Sequence, residues 1–283
     1  MTIEETIKQT LQEDIGDGDH SSLSCVSPSI MGKMQLLSKD SGVIAGIEIA
    51  EMILKEVNPA IMMEKYKKDG DEIRYGEVVF MISGPAQSML TAERTLLNFV
   101  QRMSGIATNT RQYVDELKGT GATILDTRKT TPNMRVFEKY AVLVGGAENH
   151  RFGLYDMIML KDNHIDFAGG IEAAIDKTQN YLREKHLNLK IEIETRNIDE
   201  VTRVIRHGGV DRIMLDNFTP EKIVDALKVI DKQYETEASG GITLSNIREY
   251  AQTGVDYISV GSLTHQIKSL DLSLKFVDEN YCA

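Results

Sequence analysis

The chain has 283 residues, 41% hydrophobic and 27% charged, with a formal net charge of -11 at pH 7. That size suits one large globular domain or two modest ones, and the acidic balance excludes the broad basic surface that nucleic acid or an anionic membrane rewards. Cys25 and Cys282 are too few for a disulfide framework or a cysteine metal site, and no apolar run reaches the roughly 18 residues of a membrane span, so a cytoplasmic location with reduced thiols is expected.

MTIEETIKQTLQED predicts an acidic amphipathic helix near residues 3–14, unlike a signal or transit peptide. KMQLLSKDSGVIAG and MMEKYKKDGDEIRYGEVVFMISG predict short strands broken by Gly and Asp-Gly turns, with helical spacing in GIEIAEMILKEVN between them. From Thr91 a long amphipathic helix runs toward Lys118. Leu96, Leu97, Phe99, Val100 and Met103 form its apolar face, and Arg94, Asn98, Gln101 and Arg102 lie opposite. RVFEKYAVLVGG predicts a further helix.

After Gly121 the rhythm changes. Strand-length apolar runs recur in TILDT, YDMIMLK, LKIEIET, DRIMLD, ETEASGG and VDYISVG, most of them separated by capped helices. Thr219-Pro220 has the N-cap and N1 pattern, and Gly254 closes SNIREYAQT. This alternation predicts a parallel sheet covered by helices, and no glycine fingerprint of a dinucleotide fold follows the first strand. The expected fold is α/β: an open, incomplete barrel of about seven strands, with an N-terminal α+β sandwich domain. We place the sandwich and long helix at 1–117, the barrel at 118–266, and a segment packing back on the first domain at 267–283.

Charged and glycine residues follow each barrel strand, where the C-terminal strand ends of a β/α barrel surround one mouth. Arg128, Lys129, His150, Arg151 and Lys161 form a basic set drawn from three segments of an acidic chain. Such a set suits a ligand with several anionic groups, arginine favouring planar carboxylates and lysine acting as a point charge. In KIEIET the pleat puts Glu192 and Glu194 on one face, opposite Ile191 and Ile193. With Asp216 they could stabilise a developing cation or Mg²⁺ carried on a phosphate. Ser239, Gly240 and Gly241, with Gly261 after the next strand, fit the phosphate cradle common at the last strands of barrels. The inventory points to a phosphorylated sugar with Mg²⁺ beside a polycarboxylate, and His164 reads equally as a ligand or a supporting residue.

The motifs EDIGDGD, ERTLLNFVQRMSGIAT, LDTRKTTP, GGAENHRFGLYDMIMLKDNHI, IEIE, IMLDNF, EASGGIT and ISVGSLTH follow one another in an order that resembles the quinolinate phosphoribosyltransferases, from about residue 13 to residue 275. The resemblance implies transfer of phosphoribosyl from phosphoribosyl pyrophosphate (PRPP) to quinolinate with decarboxylation. The products would be nicotinate mononucleotide, pyrophosphate and CO₂ in NAD biosynthesis. It implies that Arg128, His150, Arg151 and Lys161 hold the quinolinate carboxylates. Lys129, Glu194 and Asp216 would attend the pyrophosphate, ribose and Mg²⁺, the metal reached indirectly through PRPP and water, and Ser239, Gly240, Gly241 and Gly261 the 5′-phosphate. Lys129, Lys161, Glu194 and Asp216 are the catalytic candidates. The resemblance also implies a homodimer, open to higher assembly, in which Arg94 acts across the interface. Asn133 stands where the family usually has Gly, and Asn too tolerates a left-handed backbone. Two alternatives remain at this level: a related phosphoribosyltransferase acting on another aromatic acid, and a Schiff-base barrel lyase using Lys161.

Overall fold

The computed structural model describes residues 2–278, so residues 279–283 of the expected C-terminal segment lie outside the described residues, as does Cys282. In chain order the elements begin with α1 (Ile3–Ile15), α2 (His20–Cys25), β1 (Met31–Ser38), β2 (Gly42–Val43), α3 (Ile47–Val57), β3 (Met62–Lys65), β4 (Glu72–Ile73), β5 (Val78–Pro85) and α4 (Ala86–Glu116). There follow β6 (Thr123–Leu125), α5 (Arg135–Gly145), β7 (Ile158–Leu160), α6 (Asp162–Ala168), α7 (Ile171–Lys185), β8 (Ile191–Thr195), α8 (Ile198–His207) and β9 (Arg212–Asp216). The chain continues through α9 (Pro220–Ile230), β10 (Glu235–Ser239), α10 (Ile247–Ala251), β11 (Tyr257–Ser259), α11 (Ser262–His265) and β12 (Leu272–Phe276). No helix among the described residues is long and apolar enough to cross a membrane.

Two compact units emerge, the first combining residues up to Arg111 with Thr130–Gly146 and the chain from Thr264 onward. Its antiparallel sheet has the order β12-β1-β5-β3, and a two-stranded β2-β4 ribbon accompanies it. Thr2 and Glu5 close a capping box on α1, which satisfies backbone N–H groups that a helix start leaves open. Helix α4 starts five residues before the expected Thr91. That threonine sits inside the helix and donates its hydroxyl back to the Gln87 carbonyl at 2.9 Å, so it competes for no cap. Leu96, Leu97, Phe99, Val100 and Met103 are buried, and Phe99 meets Phe137 edge-on with ring centroids 4.9 Å apart. Burying each such side chain contributes on the order of 1.5–3 kcal/mol. Asn133 takes φ 64°, the left-handed turn that the sequence permits.

The second unit, Gln112–Lys129 with Ala147–Leu263, holds six parallel strands in the order β6-β11-β10-β9-β8-β7. All six apolar runs form strands, and the sheet is that of an open α/β barrel. A seventh stave is reduced to one parallel bridge between Leu125 and Glu148. Register fixes what faces inward. Glu192 lies beside Arg212, Arg212 beside Glu235, and Glu237 beside Met214 and Tyr257. The alternate residues Ile193, Ile213, Leu215, Ala238 and Ile258 are fully buried and form the apolar outer face that the helices cover. Thr219 caps α9 as expected, with Pro220 at its first position.

Candidate active site

Lys161, Glu194 and Asp216 stand at or just beyond C-terminal strand ends, Arg128 and Lys129 follow the end of β6, and Glu192 lies lower, at the second residue of β8. Lys161 follows β7 and its Nζ lies 3.2 Å from Glu194 on β8. Its backbone N–H donates to His164 Nδ1 at 2.9 Å, so His164 secures the turn from which the lysine projects. Asp216 ends β9. Burial raises its pKa, and the charges of Lys161 and Lys129 and a 2.6 Å hydrogen bond from Asn217 Nδ2 oppose that rise. Burial likewise raises Glu194, with Lys161 pulling the other way. Lys129, Lys161, Glu194 and Asp216 are thus close enough to feel one another.

Arg151 is half-buried, and its pKa is lowered first by that burial and next by the charge of Arg128. Two arginines from separate segments are therefore near enough to repel each other, and a bound anion would relieve that repulsion. The loop carrying Arg151 is tied down at successive residues. The His150 N–H donates to Asp126 at 2.8 Å, the Arg151 N–H to His150 Nδ1 at 2.6 Å, and the Phe152 and Gly153 N–H groups to Asp156 at 2.5 and 2.9 Å. The Arg151 guanidinium donates to the Met157 carbonyl at 3.2 Å.

Behind this mouth lies a charged column that the sequence reading missed in part. His150 Nε2 is 3.0 Å from Glu192 and 3.3 Å from Glu237, both carboxylates being fully buried. Arg212 reaches Glu237 at 3.0 Å and Glu235 at 3.0 Å, with its guanidinium stacked 3.9 Å above the Tyr257 ring. Burial alone would lower the His150 pKa, and Glu192 and then Glu237 outweigh it, raising the value. A second ring proton would have to sit on Nδ1, where it would oppose the Arg151 N–H. The Arg151 N–H is directed at Nδ1, while Nε2 faces the two carboxylates. Burial and the charge of Glu237 raise the pKa of Glu192, consistent with one proton shared near this pair. Among the described residues, His150, Glu192 and Glu237 form a three-residue grouping with metal-ligand spacing. Arg212 already offsets its charge, so these residues fit an ion pair better than a metal.

Glu237 was legible in principle, because ETEAS alternates as KIEIET does. Arg212 was not, since nothing local shows which strand it will pair with. Ser239 ends β10, and Gly240 and Gly241 follow with φ 94° and 65°. A Cβ at Gly240 would run into the Asn217 side chain, whereas Gly241 has open space around its Cα. Gly261 precedes α11, where the Ser262 hydroxyl lies 3.0 Å from Tyr113. Arg94 is exposed on α4 within the first unit. A cleft of about 1010 Å³ at the opposite strand ends, lined by Lys190, Asp211, Lys232 and Asp256, contains none of the expected site residues.

The models of the quinolinate phosphoribosyl transferase N-terminal and C-terminal domains match residues 19–104 and 106–275. The chain belongs to the quinolinate phosphoribosyltransferase family. A Nicotiana tabacum relative, quinolinate phosphoribosyltransferase [decarboxylating] 1b, is 43% identical over 288 residues, covering 96% of this chain and 82% of the relative. A probable nicotinate-nucleotide pyrophosphorylase [carboxylating] of Bacillus subtilis is 42% identical, covering 97% of this chain and 93% of its own. The crystal structure of NadC from Streptococcus pyogenes superposes with a TM-score of 0.93 at 39% identity, covering 98% of this chain and 97% of that one. Both family domains are therefore present in this member.

Proposed function

We propose that this family member transfers the phosphoribosyl group of PRPP to quinolinate and releases CO₂, giving nicotinate mononucleotide for NAD synthesis. Two groupings support the reading: Arg128 lies near enough to Arg151 to lower its pKa, and Lys161 lies beside the carboxylates Glu194 and Asp216. Two arginines and a lysine suit a ring bearing two carboxylates, and a mono-acid would leave part of that charge unanswered.

Arg128, Arg151 and Lys161 orient quinolinate so that its ring nitrogen faces the anomeric carbon of PRPP. The nitrogen forms the new bond as the bond to pyrophosphate breaks. Glu194 and Asp216 stabilise positive charge developing on the ribose, and Lys129 answers the negative charge of the leaving pyrophosphate. Once the nitrogen is quaternary, the bond from the neighbouring ring carbon to its carboxylate breaks and CO₂ departs. The electron pair stays with the ring and is taken up by a proton from water. The Ser239-Gly240-Gly241 turn and Gly261 cradle the 5′-phosphate through backbone N–H groups. Glu194 and Asp216 are hard oxygen donors of the kind Mg²⁺ takes. When bound with PRPP, Mg²⁺ would neutralise pyrophosphate charge. The working unit in this reading is a cytoplasmic homodimer, with Arg94 reaching the partner's site.

Lys161 does not favour a lyase, because its Nζ meets a carboxylate instead of the apolar walls a Schiff-base lysine needs. The deciding experiment incubates the protein with PRPP, Mg²⁺ and carboxyl-labelled quinolinate. One CO₂ per nicotinate mononucleotide is expected. Equal turnover of nicotinate would overturn the assigned acid.

A further inference from the structure

We propose that Asn217 is a positioning residue that latches Asp216 to the turn Ser239-Gly240-Gly241, holding the ribose side and the 5′-phosphate side of the site at one spacing. The inference rests on the reading of PRPP as substrate. Asp216 and Ser239 are register partners at the ends of β9 and β10, and beyond them each strand hands over to a loop. Asn217 bridges that point. Its backbone takes φ 56°, a left-handed turn that asparagine tolerates better than most side chains. From there its N–H donates to the Ser239 carbonyl at 2.8 Å, adding one bond beyond the strand ends. The side-chain amide divides its two ends. Nδ2 donates to the Asp216 carboxylate at 2.6 Å, and Oδ1 lies over Gly240, in the space a Cβ there would take.

A hydrogen bond to an ionised carboxylate is strong, and a donor fixed in place gives that carboxylate a fixed direction. Here the donor is wedged against Gly240, so the direction of Asp216 is tied to the turn after β10. The far side of the same turn is held by Asn246, whose Nδ2 donates to the Gly241 carbonyl at 3.2 Å. A ribose ring sets the distance from its anomeric carbon to its 5′-phosphate. A site that sets the matching distance in advance has less to order on binding. Asn217 is itself exposed, so a direct contact to substrate is the rival role.

Asn217→Gly and Asn217→Asp both accept the left-handed backbone and keep the N–H to Ser239, but an ionised aspartate or a glycine cannot donate to Asp216. Wild-type activity on quinolinate and PRPP is measured first; an inert wild type overturns both the function and this inference. With an active wild type, both variants are expected to lower kcat/KM for PRPP about tenfold or more, with the KM for quinolinate unchanged and both chains folded by thermal melting. Unchanged kinetics would reduce Asn217 to a backbone turn, and equal losses on the two substrates would mean a general disturbance; either overturns the latch and leaves the proposed function standing. Gly240→Ala then separates the latch from a substrate contact. It is expected to lose about a hundredfold in the wild-type chain, where Asn217 blocks the methyl, and about tenfold in Asn217→Gly, where only the backbone strain remains. The same loss in both backgrounds is the result of a plain contact and overturns the proposal. Should Gly240→Ala fail to fold, the double variant with Asn217→Gly is expected to fold, and failure of both overturns it as well.

Discussion

Arg151 concentrates the argument at the scale of single residues. A guanidinium partly withdrawn from water, near a second arginine and tethered to a backbone carbonyl, is preorganised for an anion. Removing one aimed charge of this kind costs about 2–4 kcal/mol of transition-state stabilisation. Arg151→Ala should therefore lower kcat/KM for quinolinate by that amount, with the thermal midpoint little changed. Steady-state kinetics check it, and wild-type turnover in the variant would mean that the loop faces solvent. Lys161→Arg should also lose activity despite keeping its charge, because the broad guanidinium cannot occupy the point-charge position beside Glu194.

Three local devices decide whether the elements form. Asp19 caps α2, accepting from the Ser22 backbone N–H at 3.1 Å and from the Ser22 and Thr91 hydroxyls. The Ser22 bonds hold its pKa below the usual carboxylate range. Its stabilisation is thus present above the unfolded-state pKa and disappears as pH falls through the lower folded value. Asp19→Ala should cost about 1 kcal/mol at neutral pH, with the difference closing in strong acid, as urea titrations at the two pH values would show. Glu138 on α5 accepts three bonds, two from Arg102 on α4 and one from the Thr131 N–H. Glu138→Ala strands part of a guanidinium and should destabilise by about 2–3 kcal/mol, below the full cost of breaking a buried pair because Arg102 retains some water contact. Gly105, inside α4, shows packing overriding propensity. Alanine there would favour the helix, yet its Cβ would strike the Lys268 carbonyl oxygen. Gly105→Ala should therefore destabilise, with a lowered denaturation midpoint.

At the scale of the whole molecule, the prediction concerns assembly. If Arg94 acts in the neighbouring subunit, neither Arg94→Ala nor Lys161→Ala is active alone. Co-refolding the two should restore about a quarter of wild-type activity, since half of randomly mixed dimers carry both chains and each such dimer has one intact site. A confirmed heterodimer with no recovery would count against the shared site.

Sequence by itself determined the strand–helix alternation, the six barrel strands, the cap at Thr219 and the inward face of Glu192 and Glu194. All of these rest on periodicities of two and 3.6 and on local turn chemistry, which a chain carries within a few residues of itself. Motif order determined the family. What only the tertiary structure decided is the charged column. A pleat tells which side of a strand a residue faces, but not its height in the barrel or its neighbours across it. That Arg212 meets Glu237, and Glu237 meets His150, follows from the register of strands tens of residues apart. Such register is set by packing of the whole sheet, and no local pattern encodes it.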